Sequence, residues 1–174
     1  MNPIPNAPSA ERVRRAVLAM PMAQTLALAF DTIGAGTSTL RAPVQPGWCF
    51  APGQLQATAM FALADFAAVS AAGTLLPEGW ANSTVDASVK FVAPARGTHI
   101  VARGRVVQPG KTLSVCAEGL ARLHHAEGLA RLHHAAAGKT LSVCAADVFA
   151  VDAEGREQLC ATWLGTARNF ALAG

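Results

Sequence analysis

Apolar and polar positions change period along this chain, and each change marks an element. Ser9 and Glu11 look like a helix start, with Ser9 as the N-cap. The amphipathic helix expected there carries Arg12, Arg14 and Arg15. Phe30 to Val44 is rich in Thr and Gly and predicts a first strand. A loop punctuated by Pro43, Pro46, Gly47, Pro52 and Gly53 then leads into a helix from about Gln54 to Gly73. That helix is apolar on nearly every side, so something must surround it. Beyond Pro77-Glu78-Gly79 the period becomes two. Val85, Ala87, Val89 and Phe91 alternate with Thr84, Asp86, Ser88 and Lys90, as in a half-buried strand. Further strands are predicted from about Thr98 to Val107, ending at the turn Gln108-Pro109-Gly110, and from Thr140 to Val151. A hairpin at Asp152-Ala153-Glu154-Gly155 leads into the last, Glu157 to Arg168. Helix, strand, buried helix and then consecutive strands with tight connections predict an α+β domain, an antiparallel sheet curled around one long helix.

The middle of the chain repeats itself. Gly110–Ala117 (GKTLSVCA) returns unchanged as Gly138–Ala145, an offset of 28 residues, and between the copies EGLARLHHA occurs twice in succession. Repeat architectures stack three or more units, and neither repeat continues. The 174 residues therefore read as one domain, 1–174, whose older part has 146 residues, interrupted by a duplicated helical insert at about 117–137. The perfect identity points to a recent or engineered event. Nine residues advance roughly 900° along a helix, so Leu120 and Leu123 face away from Leu129 and Leu132. Two short helices broken near Glu127-Gly128, or one helix burying opposite faces with a partner chain on the second, both satisfy that pattern. The insert also carries His124, His125, His133 and His134. Adjacent histidines splay about 100° apart instead of sharing a face at i,i+4, so they are expected to be solvated and no metal site is expected.

Composition removes several function classes. With 52% hydrophobic and 14% charged residues the chain is not disordered. Its net charge of +3 comes from scattered basic residues, not the stripe a nucleic-acid binder presents. Residues 16–30 imitate a signal peptide, but Pro21 and Gln24 interrupt the run. Residues 55–76 are long enough to cross a bilayer, yet Asp65 in mid-membrane would cost roughly 2.5–3.5 kcal/mol. A buried helix of a soluble protein is expected instead, with no membrane partner. The four cysteines, Cys49, Cys116, Cys144 and Cys160, form no C-x-x-C pair and read as reduced thiols of a cytoplasmic protein.

Asp65 stands out because an isolated acid in an apolar helix is expensive to bury unless it is paired or functional. Desolvation should raise its pKa, which suits a general base. An Asp bonded to a neighbouring backbone or hydroxyl group is the structural alternative. Free N–H groups near Gln56 and Ala57, at the helix start, could hold a carbonyl and the oxyanion formed from it, or could simply open an ordinary helix.

The segment Pro52-Gly53-Gln54-Leu55-Gln56-Ala57-Thr58-Ala59-Met60-Phe61-Ala62-Leu63-Ala64-Asp65 resembles the central helix of hotdog-fold thioesterases of the phenylacetate-degradation (PaaI-like) type. Thr84-Val85-Asp86-Ala87-Ser88-Val89-Lys90-Phe91-Val92-Ala93-Pro94 resembles the strand after it, and Gly104 to Lys111 with Asp152–Gly155 fits the remaining hairpins. The resemblance spans roughly residues 25–116 and 144–170. It implies a hotdog fold and a homodimer with sheets joined edge to edge, often paired again into a tetramer. It implies hydrolysis of an acyl-coenzyme A thioester at the dimer interface, with no cofactor beyond that substrate. Gln56, Ala57 and Thr58 stand where the family carries His-Gly-Gly, nine residues before the acid. The catalytic set it implies is Asp65, the amides of Gln56 and Ala57, and a hydroxyl supplied by the partner subunit, from Ser83 or, second, Thr84. Lys90, Arg96, Arg103 and Arg105 are candidates for the coenzyme A phosphates. A non-catalytic acyl-binding or assembly protein, or an engineered strand-duplication variant of a thioesterase, are the alternatives.

Overall fold

The computed structural model describes residues 7–106 and 141–172. The first octapeptide copy, the 117–137 insert with its four histidines, and the turn at Gln108–Gly110 lie outside the described residues. Helix α1 (Ala7–Leu18) is followed by the short α2 (Pro21–Thr25), which Pro21 opens. The apolar run 16–30 is thus divided between the end of α1, α2 and the start of a strand. Ser9 is not a cap: it lies inside α1, is buried, and its Oγ donates to the Thr74 carbonyl at 3.0 Å.

Phe30 to Val44 is a hairpin, not one strand: β1 (Ala29–Gly34) turns at Gly36, φ +75°, into β2 (Thr37–Pro43). The loop before the central helix contains a small hairpin, β3 (Cys49–Ala51) with β4 (Gln54–Leu55), that the Pro/Gly punctuation concealed. The helix itself, α3 (Ala57–Gly73), starts three residues later than expected because Gln54 and Leu55 are spent in β4. Then come β5 (Trp80–Phe91), β6 (His99–Val106), β7 (Leu141–Val151) and β8 (Glu157–Ala171). The β7–β8 turn falls at the expected residues: Asp152 Oδ1 accepts from the Glu154 and Arg156 N–H groups, and Gly155 takes φ +80°.

Six strands form one antiparallel sheet, in the order β1-β2-β6-β7-β8-β5, and it wraps α3. Ala64, Ala67, Ala68 and Ala71 of α3 are fully buried, and small side chains there let the helix lie close to the sheet. The approach is closest at Ala67, whose carbonyl accepts from Ser38 Oγ at 2.7 Å. A Cβ on Gly104 would stand 2.3 Å from the Ala67 carbonyl carbon, so only glycine fits that position of β6. Trp163, Val148, Cys144 and Ile100 close the core on the sheet side. The second octapeptide copy therefore holds a central place: Cys144 pairs with Val106 on one side and Gly165 on the other. No helix among the described residues is long and apolar enough to cross a membrane.

The alternation in β5 breaks where the site begins. Thr84 pairs with Ala167 and Asp86 with Thr166, so Val85 is an extra residue, a β-bulge, and is 56% exposed rather than buried. Ala87 and Val89 face the core as expected, but Phe91 is exposed. Upstream of the bulge the facing residues are Asn82 and Thr84, both bonded to α3.

Candidate active site

Asp65 lies midway along α3, half-buried, on the side that faces β5. The bulge at Val85 turns Thr84 to the same side as Ala87, and Thr84 Oγ1 donates to Asp65 Oδ1 at 2.6 Å. Burial pushes the Asp65 carboxyl above the usual carboxylate range, and the Thr84 bond partly opposes that rise. One turn further along α3, Asn82 Nδ2 donates to the Val69 carbonyl at 3.1 Å and ties the start of β5 to the helix. Ser83, the first-choice hydroxyl, is exposed, pairs across the strand with Arg168, and makes no bond to Asp65. The bonded hydroxyl is that of Thr84, because a bulge reverses the facing of every residue before it. Beside the Asp65–Thr84 pair a cavity of about 440 Å³ opens between α1, α3 and β5.

The start of α3 supplies a second group. Gln56 is the residue before the first turn, and its side chain makes no cap. Its N–H donates to the Trp48 carbonyl at 2.7 Å, so it is not free for a substrate, contrary to the expectation from sequence. The next N–H groups, of Ala57 and Thr58, open the helix with no intrahelical acceptor, at the positive end of its dipole. From Ala57 to Asp65 is eight residues, about 12 Å along the axis.

Residues 57–118 match the family profile described as the thioesterase superfamily. A thioesterase family protein from Silicibacter pomeroyi superposes with a TM-score of 0.74 at 26% identity, over 94% of this chain and 98% of its own. The chain has the hotdog fold, and its central segment matches the thioesterase superfamily. A thioesterase from Haemophilus influenzae shares the fold at 16% identity, with a TM-score of 0.67 over 95% of this chain and 92% of its own. So does the Escherichia coli PaaI protein of the phenylacetic acid degradation operon, at 14% identity and a TM-score of 0.66 over 95% and 97%. No curated protein matches the chain significantly in sequence.

Within the hotdog frame the four candidate phosphate ligands do not come together. Arg96 lies next to the start of α3, where its Nε and Nη2 donate to Gln54 Oε1 at 3.3 and 3.0 Å. Gly104 faces α3, so its neighbours Arg103 and Arg105 point to the opposite face of the sheet, away from Asp65. There Arg103 is bidentate on Glu157 at 2.6 and 2.8 Å, with its guanidinium over the Phe149 ring. Glu157 holds the Arg103 guanidinium pKa up, and Arg105 and Arg103 together oppose the rise that burial gives Asp147. Lys90 is exposed and lies on that same outer face, since Val89 beside it packs against the core. Strand alternation around Gly104 carries this information only once the helix-facing residue is known. What the sequence pattern missed, Thr58 at the helix start and the cavity wall from α1, depends on contacts between elements far apart in the chain.

Proposed function

We propose that this chain hydrolyses acyl-coenzyme A thioesters, with each active site shared between two copies of the chain. The observation that carries the reading is the half-buried Asp65 carboxylate, held by Thr84 at the margin of an apolar cavity. Asp65 takes the proton of a water as the water oxygen bonds to the thioester carbonyl carbon. The negative charge passes to the carbonyl oxygen, where helix-terminal N–H groups stabilise it. The C–S bond then breaks, coenzyme A leaves as the thiol with the proton from Asp65, and the acyl group departs as the carboxylic acid. Direct attack by Asp65, through an anhydride that water opens, gives the same products.

The geometry of α3 favours a shared site. The oxyanion donor must lie about 3 Å from the carbonyl oxygen, and the general base within hydrogen-bond reach of the water that attacks the same carbonyl. Asp65 and Ala57 of one helix are about 12 Å apart along the axis, so the second group would come from another α3. Strand β5 ends the sheet with its outer edge unpaired among the described residues, and Val85, Phe91 and Val92 stand exposed along it. An unprotected edge of that length is prone to pair with a second chain, and a two-fold pairing of β5 with β5 would set two antiparallel α3 helices side by side. Arg96, next to the helix start, is then the cation best placed for a coenzyme A phosphate.

The test is release of free coenzyme A from a panel of acyl-coenzyme A thioesters by wild-type protein and Asp65→Asn. Asn keeps the Thr84 bond and removes the base. The variant is expected to lose 10²–10⁴-fold in kcat, on the order of a general base's contribution, with its melting temperature not lowered. Full activity in Asp65→Asn would sink the mechanism. A wild-type protein that binds the thioesters and releases no thiol would favour the non-catalytic acyl-binding reading.

A further inference from the structure

The cavity beside Asp65 is far larger than a carbonyl and a water require. Val13 and Val17 of α1, with Met20 just beyond it, form one wall, Phe66 and Val69 of α3 form the facing one, and Trp80 of β5 also lines the space. The one cation on its lining, Arg12, has its Nη2 on the Leu76 carbonyl at 3.1 Å. Arg12 and Asp65 are the cavity's two charged lining residues, of opposite sign, and the rest of the lining is uncharged and mostly apolar. An uncharged apolar guest loses nothing there and gains from burial.

Helix α1 is held firmly enough to act as a wall. Ser9 Oγ donates to the Thr74 carbonyl at 3.0 Å, at the end of α3. Thr74 Oγ1 in turn accepts from the Gly36 N–H at 2.8 Å, which ties the end of α3 to the β1–β2 hairpin. Gly73 lets α1 approach, since a Cβ there would already stand 3.2 Å from Val13 Cγ2.

We infer that the acyl group of the thioester lies in this cavity between α1 and α3, its carbonyl at Asp65, and that side chains of α1 set the acyl length. The inference rests on the thioesterase reading for its substrate and adds which acyl class is taken and which residues select it. An engineered cavity of about 150 Å³ holds one benzene ring. A space of about 440 Å³ suits a medium-chain or arylalkyl group and leaves an acetyl group mostly unburied. Each methylene added inside such a cavity is expected to raise kcat/KM about fourfold until the space is full.

Ala16 lines the cavity and is exposed, so a larger residue there projects into the space without disturbing the core. Thioesters from acetyl to dodecanoyl, with phenylacetyl included, are assayed with wild type, Ala16→Phe and Ala19→Phe. Ala19 is exposed, lies directly after the same helix and does not line the cavity. Wild type is expected to climb with chain length, and Ala16→Phe to lower the octanoyl-to-acetyl ratio at least tenfold, while Ala19→Phe keeps the wild-type profile. Calorimetric binding of alkyl-coenzyme A thioethers of two to twelve carbons reads the cavity without turnover. A chain-length dependence of binding that Ala16→Phe abolishes supports the acyl site even if no thioester is cleaved, in which case the hydrolase reading alone fails. Binding and turnover that ignore chain length, or that Ala16→Phe leaves unchanged, overturn the inference.

Discussion

Asp65 is held between two opposed influences. Burial favours its neutral form and the Thr84 hydroxyl favours its ionised form, with burial the larger. A base acts when deprotonated, so kcat/KM should rise with pH through an apparent pKa above the usual carboxylate range. Thr84→Val removes only the lowering influence, so the acidic limb should move to higher pH while the plateau falls less. A pH–rate profile reads this directly, and a limb that stays put or moves down would show that Thr84 does not act through Asp65. The sign for stability is the reverse of an ordinary salt-bridged acid. A raised folded-state pKa means that the carboxylate form costs stability as pH climbs past the unfolded value. Asp65→Asn lifts that cost at neutral pH, which is why no loss of melting temperature is expected. At this scale the sequence already singled out Asp65, since one acid in a long apolar helix has few innocent explanations. The resemblance put Ser83 ahead of Thr84, and strict alternation could not register the inserted residue at Val85 that turns Thr84 toward α3.

The relation of α3 to the sheet is set at one crossing. Gly104 and Ser38 both meet the backbone of Ala67, one by having no side chain and the other by bonding its carbonyl. Gly104→Ala would set a Cβ 2.3 Å from backbone atoms that have no flexible end to move. Helix and sheet must separate, which should cost about 1–3 kcal/mol of unfolding free energy in a denaturant titration. Gly47→Ala serves as the comparison, because nothing lies within 4 Å of the added carbon, and it should stay within about 0.5 kcal/mol of wild type. Equal stabilities for the two variants would remove Gly104 from its assigned role. The elements themselves were mostly legible from periodicity: the buried helix, the strand after it, and the Asp152–Gly155 hairpin. The β1–β2 turn and the β3–β4 hairpin were not, since Gly-rich and Pro-rich stretches read alike whether a chain turns back on itself or wanders.

The octapeptide repeat belongs to the scale of the whole molecule. The family match at residues 57–118 runs through the first copy, while the sheet is built with the second, from Leu141 onward. Only the second copy continues into Ala146-Asp147-Val148-Phe149, which the core needs, as buried Ala146 and Val148 attest. Deleting residues 110–137 joins Pro109 to Gly138 and leaves a single copy. Because Val106 pairs with Cys144, the same register would set Gln108 opposite Ser142 and close the hairpin through Pro109, Gly138, Lys139, Thr140 and Leu141. Loop entropy changes only slowly with loop length, so the shortened protein should fold with a melting temperature no lower than wild type. A circular dichroism melt checks this, and loss of cooperative unfolding would show that the sheet needs the inserted residues.

The sequence by itself determined the class of the molecule. One helix apolar all round, followed by alternating segments with short turns, has few solutions other than a sheet wrapped around it, because period and burial are local properties of a chain. It also determined the acid, since charge in an apolar run is local too. The facing of Thr84, the capture of the Gln56 N–H by Trp48, the two faces that separate Arg103 and Arg105 from Asp65, and the cavity under α1 were decided only in the tertiary structure. Each depends on one element meeting another tens of residues away, and on a single inserted residue in β5 that reverses a whole face.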